Sequence, residues 1–142
     1  MINITFLETE EEIRSAFPIM NQLREHLQEE EYLKLTLEIK NKHDYQLVAL
    51  YDDGDMKAVI GFMPRLTLFN GPFIYVSDLV TDNDNRSNGY GRQLLAYIEK
   101  LSKEKGYHLI SLSSGLQRRD AHRFYKDKMN YQQVSYKFRK SL

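Results

Sequence analysis

Apolar positions along this chain follow two periods, and the changes between them divide it into elements. Asn3 to Leu7 reads as a short strand. Between Glu10 and Gln28, residues Ile13, Phe17, Met20, Leu23 and Leu27 recur at the spacing that lines one helix face, and Glu10, Glu11 and Glu12 suit the positive end of its dipole. Pro18 kinks or divides that helix. A second helix spans Glu30 to Lys42, with Leu33, Leu37 and Ile39 facing inward. From Tyr45 the period shortens: Gln46 to Tyr51, a turn at Asp52 to Asp55, then Lys57 to Met63 make a hairpin. Pro64 interrupts the run, and Arg65 to Phe69 is its bent continuation up to a turn at Asn70 and Gly71. Phe73 to Val80 is a further strand, followed by the polar loop Thr81 to Asn85.

Helical spacing then returns, with Tyr90, Leu94, Ile98 and Leu101 on one stripe of a helix that runs to Lys105 and has Gly106 as its C-cap. His108 to Ser113 reads as a strand, Asp120 to Lys128 as a short helix and Tyr131 to Phe138 as a last strand. This order describes an α+β domain: one mixed sheet covered by helices, with the loop after Val80 at the end of a central strand. A chain of 142 residues suits a single domain spanning 1–142, and no stretch reads as a linker.

Composition narrows the chemistry. No run approaches the roughly 20 apolar residues that cross a bilayer, and Met1 to Thr5 lacks the features of a signal peptide, so a cytoplasmic location and no membrane partner are expected. The absence of cysteine excludes disulfides, thiolate metal sites and a cysteine nucleophile, so any thiol must arrive with a ligand. Net charge is zero, yet residues 1–55 hold 13 Asp/Glu against 5 Lys/Arg, and residues 56–142 hold 7 against 15. The second part would draw a polyanion and the first a cation, unless both are simply solvated faces.

The candidate chemistry begins in the loop before the stripe-bearing helix. Arg86, Ser87, Asn88, Gly89, Tyr90 and Gly91 put two closely spaced glycines between an arginine and a helix start. Glycine permits a tight turn and close backbone approach, while free N–H groups and the helix dipole attract an anion; Arg86 and Arg92 add positive charge. The same residues would also serve as a plain turn. They are no dinucleotide fingerprint, because Arg86 occupies the place of its first glycine, and no P-loop, because no Gly-Lys-Ser/Thr follows.

Other classes lack their residues. His26, His43, His108 and His122 are scattered, and Asp52 to Asp55 lacks the further ligands of a calcium loop, so no metal is expected. Ser113, Ser114 and Gly115 lack the preceding glycine of a hydrolase elbow. Arg118 to Lys128 and Lys137 to Lys140 are basic, but no recognition signature accompanies them and nucleic acid is not an expected partner.

Taken in order, these residues resemble the GNAT superfamily of N-acetyltransferases over nearly the whole chain. Tyr75 to Asp82 is similar to the family's pantetheine-binding strand, and Arg86 to Gly91 to its Arg/Gln-x-x-Gly-x-Gly/Ala pyrophosphate turn. Ala121 to Tyr125, followed by Tyr131, is similar to its late Ala-x-x-Phe-Tyr helix and trailing aromatic. The resemblance implies a mostly antiparallel twisted sheet flanked by about four helices, with a V-shaped opening between central strands. It also implies direct transfer of an acetyl group from acetyl-CoA to a primary amine on a small molecule or peptide.

On that resemblance, Ser87 and the backbone N–H groups of Asn88, Gly89, Tyr90 and Gly91 cradle the pyrophosphate, which Arg86 and Arg92 neutralise. The strand edge at Leu79, Val80 and Thr81 pairs with the pantetheine arm, and Arg118 and Phe124 complete the cofactor site. Tyr125 stands where the family's frequent acid tyrosine does, and is otherwise a core or cofactor-packing residue. Asp78, on a strand face shared with Ile74, Val76 and Val80, either accepts the amine's proton or is a hydrogen-bonded structural carboxylate. Many relatives have a glutamate where this chain has Ser77, and an asparagine where it has Arg118. Asn130 replaces a glycine but, as the next-best left-handed residue, keeps the turn.

The acceptor is expected to meet Glu29, Glu30, Glu31, Tyr32, Phe69 and Tyr75, whose acidic members favour a cationic amine. Val134 to Phe138 alternates as a sheet edge would, which offers a homodimer contact. A non-catalytic acyl-CoA-binding or regulatory domain with the same fold is the alternative to an enzyme.

Overall fold

The computed structural model describes residues 1–86 and 88–142, and its centre is one five-stranded sheet in the order β1-β2-β3-β4-β5. The strands are β1 (Ile2–Leu7), β2 (Gln46–Asp52), β3 (Asp55–Thr67), β4 (Gly71–Thr81) and β5 (Ile110–Leu112). The first four pair antiparallel and β5 joins β4 in parallel, making the mixed sheet of an α+β fold. Helices α1 (Glu10–Ser15), α2 (Phe17–Leu23) and α3 (Glu29–His43) follow β1 in the chain. Helices α4 (Tyr90–Glu104) and α5 (Arg119–Arg123) flank β5, and α5 continues through a wider helical turn over Phe124–Lys128.

Each face of the sheet carries its own core. Ile13, Met20 and Leu33 from α1 to α3 pack with Leu47, Val59 and Val80 on one side. Leu94, Leu95 and Ile98 from α4 pack with Leu50, Ile60 and Val76 on the other. Because β2 and β3 are covered on both faces, they carry the continuous buried runs Leu47 to Leu50 and Ala58 to Phe62.

Local signals explain the boundaries. Thr9 and Glu12 form a reciprocal capping box at α1. Pro18 falls in the first turn of α2, where its missing N–H has no helical partner to lose, so the apolar stripe is divided into two helices. Pro64 is tolerated because β2 pairs with β3 only as far as Phe62, which leaves Pro64 paired on one side alone, with Ile74.

Two expectations fail at the C-terminal end. The strand expected over His108 to Ser113 shrinks to Ile110–Leu112, and residues 131–138 form no strand. Val134, Tyr136 and Phe138 are 80%, 77% and 90% exposed. Alternation alone makes no strand, which also needs a paired edge and a surface for its apolar face.

A third correction concerns β4. Phe62 faces Val76 while Gly61 faces Asp78, so Ser77 is an extra residue and the register shifts there. A bulge exchanges the two faces beyond it. Ile74 and Val76 therefore join the core under α4, whereas Val80 joins the core under α1 to α3. Asp78 shares a face with Val80 but not with Ile74 and Val76. No helix among the described residues is long and apolar enough to cross a membrane.

Candidate functional site

β4 and β5 pair only from Ile74 with Ile110 to Val76 with Leu112, although β4 continues to Thr81. Beyond Val76 the two strands part. A cavity of about 410 Å³ occupies this opening, lined by Val76, Ser77, Asp78 and Leu79 of β4, by Leu112 to Gly115, and by Arg24, Arg118, Tyr125 and Arg139. Ser77 Oγ and Ser114 Oγ are buried in its wall with no hydrogen-bond partner among the described residues. Buried hydroxyls are normally paired, so both are available to a bound molecule.

Tyr125 is held against the cavity by the wide turn after α5. Its ring meets Phe124 edge-on at 5.3 Å and Tyr131 at 6.0 Å, and its carbonyl accepts the Tyr131 N–H at 2.8 Å. It is 8% exposed. Burial pushes its phenol pKa up, while the charge and hydrogen bond of Arg118 pull the other way without cancelling that push. At neutral pH Tyr125 is a protonated donor. Phe124 and Arg118, both expected in the cofactor site, thus surround this tyrosine.

Asp78 also lines the cavity, but its oxygens are engaged. Oδ1 accepts from Arg24 Nε at 2.9 Å, and Oδ2 accepts from the Tyr45 hydroxyl at 2.7 Å. Arg24 Nη2 donates to the Ser77 carbonyl at 2.8 Å, tying the end of α2 to the bulge. Tyr45 reaches Asp78 across Gly61, where an added Cβ would lie 1.7 Å from the Tyr45 hydroxyl oxygen. Burial first, and then the Asp78 charge, raise the Tyr45 pKa well above its ordinary value, so it is a permanent donor to the carboxylate. Sequence reasoning missed Arg24 and Tyr45, because each meets Asp78 only through the fold.

The glycine turn lies at the far end of β4, after a short 3-10 turn at Asn83–Asn85. Gly89 has φ +79° and occupies the N-cap of α4 without a side-chain cap, so the first-turn N–H groups are not taken by a capping side chain. Tyr90 is anchored by a 2.8 Å hydrogen bond from its hydroxyl to Asp52. Arg86, Asn88 and Arg92 are exposed, Gly91 is half-buried, and Ser87 lies outside the described residues. Of the three expected edge positions, Leu79 lines the cavity, Val80 turns its side chain into the core and Thr81 ends the strand away from the lining.

None of the expected acceptor positions lines the cavity. Glu29 and Glu30 bind Arg14, and Tyr32 is buried with its hydroxyl donating to the Ile13 carbonyl. Glu31 is exposed. Phe69 sits at the tip of the β3–β4 hairpin, and Tyr75 lies beneath the Arg65 guanidinium at 4.0 Å. The charged residues that do line the cavity are Arg24, Asp78, Arg118 and Arg139.

Both the sequence and the fold have counterparts among known proteins. The sequence model of the Acetyltransferase (GNAT) family matches residues 7–131. This chain belongs to that family. The uncharacterized N-acetyltransferase YhdJ of Bacillus subtilis (strain 168) is 43% identical over 142 residues, covering 100% of both chains. The aminoalkylphosphonate N-acetyltransferase of Salmonella typhimurium is 33% identical over 91 residues, which cover 63% of this chain and 58% of that protein. Among solved structures, an aminoglycoside N-acetyltransferase in complex with CoA superposes with a TM-score of 0.84 at 14% identity, covering 99% of this chain and 95% of the other. The mixed sheet, its helices and the opening between strands are thus those of a GNAT acetyltransferase.

Proposed function

We propose that this GNAT acetyltransferase transfers the acetyl group of acetyl-CoA to the primary amine of a small molecule by direct attack. The observation that carries the reading is the cavity in the β4–β5 opening, where the Tyr125 phenol and the unpaired edge of β4 line one space. An unpaired strand edge and two partnerless buried hydroxyls suit an amide-bearing arm such as pantetheine. The uncapped start of α4, with Arg86 and Arg92 beside it, suits a pyrophosphate.

In the reaction, the amine nitrogen attacks the thioester carbonyl, the C–N bond forms and the C–S bond breaks. The departing thiolate takes a proton from Tyr125, which recovers one from solvent, and the amine's proton leaves to solvent. Asp78, with both oxygens engaged, acts by holding Arg24 at the cavity wall, and is itself held by Tyr45 from the core. The aminoalkylphosphonate for which the Salmonella relative is named is a small amine, which supports a small-molecule acceptor over a peptide.

Release of free thiol from acetyl-CoA, measured with and without each member of an amine panel, tests the reading. Faster release with at least one amine supports it. CoA binding by calorimetry with no amine accelerating release would leave a non-catalytic acyl-CoA-binding domain instead.

A further inference from the structure

We propose that the acceptor is an amine that also carries an anionic group, a carboxylate, phosphonate or phosphate, which the arginines of the cavity hold; this rests on the acetyl-transfer reading above. Three arginines, Arg24, Arg118 and Arg139, line the cavity, with Asp78 as the one acidic residue among the described lining residues. Asp78 is already bound on both oxygens, so a cationic acceptor finds no free carboxylate among the described lining residues. It would instead bring its positive charge up against those of three arginines.

The guanidiniums are unequally committed. Arg24 directs Nε and Nη2 at Asp78 and Ser77, and Arg118 lies near enough to Tyr125 for its charge to act on the phenol. Arg139 has no carboxylate partner among the described residues, which leaves its planar fork for an anion. The same positive charges disfavour the ammonium form of the bound amine and so favour the neutral nucleophile. This accounts for a cavity that holds an acid but no unengaged base. The glutamates that suggested a cationic acceptor lie outside the cavity, two of them paired with Arg14.

The test compares kcat/KM for 2-aminoethylphosphonate and β-alanine with that for n-propylamine and 1,3-diaminopropane. The anionic amines are expected to be better by about tenfold or more, the worth of one charge-assisted hydrogen bond. Arg139→Gln is expected to lower the ratio of anionic to neutral kcat/KM by about tenfold, with CoA affinity by calorimetry changed much less. Equal or better use of the neutral amine or the diamine overturns the proposal. So does a loss of CoA affinity in Arg139→Gln that matches the lost preference, because the arginine would then serve the donor's phosphates. If amines are acetylated without preference, acetyl transfer stands and only the anionic acceptor falls; if CoA binds and no amine is acetylated, both fall.

Discussion

Tyr125 is placed by two residues with opposed effects: the aromatic packing that buries it keeps its proton on, and Arg118 eases that proton's departure. Tyr125→Phe keeps the packing and removes the donor. Its kcat is expected to fall by about a hundredfold or more while CoA affinity stays within a small factor, measured by thiol release and calorimetry. Because the phenol pKa is raised, the acid form persists through the ordinary tyrosine value of about 10, and loss of kcat from its deprotonation should appear only above that pH. Tyr125 was legible in the sequence because the Phe-Tyr pair lies within one short segment. Tyr45 was not, since its partner is 33 residues away and no local pattern marks a tyrosine that crosses a glycine to reach a carboxylate. Tyr45→Phe should cost about 2 kcal/mol in urea denaturation, the value of a hydrogen bond to a charged group.

At the scale of elements, the bulge at Ser77 decides the site. One extra residue turns Asp78 toward α2 and leaves Leu79 on the side of Tyr125. Gly61, opposite the bulge, makes room for Tyr45, so Gly61→Ala must displace the phenol from Asp78 and should cost about 2 kcal/mol or more, read as a lowered melting temperature. The loop before α4 is held differently. Asp82 accepts from Gln22 of α2 and from Asn85, and these bonds, that to Gln22 foremost, lower its pKa. A depressed carboxyl contributes stability that is present above its unfolded value of about 3.9 and is lost as pH falls through the lower folded value. Wild-type protein should therefore lose stability in that acid window more steeply than Asp82→Asn, in denaturation followed against pH. The helices and the first hairpin were legible because caps, Pro18 and apolar spacing act within a few residues.

For the whole molecule, the two cores meet at β2 to β4 and the C-terminal residues join neither. Hydrogen exchange should find β2, β3, β4 and α4 most protected and the amides of residues 132–142 the fastest, since those residues are exposed and form no regular element. By itself the sequence determined the helices and main strands, the glycine turn at the start of α4 and the tyrosine of the late helix, because each is encoded by neighbours in the chain. Only the tertiary structure decided that Asp78 faces Arg24, 54 residues away, that arginines replace glutamates around the cavity and that the last alternating segment stays unpaired. These depend on register and on which surfaces meet. A register belongs to two strands at once, so neither strand's sequence specifies it alone.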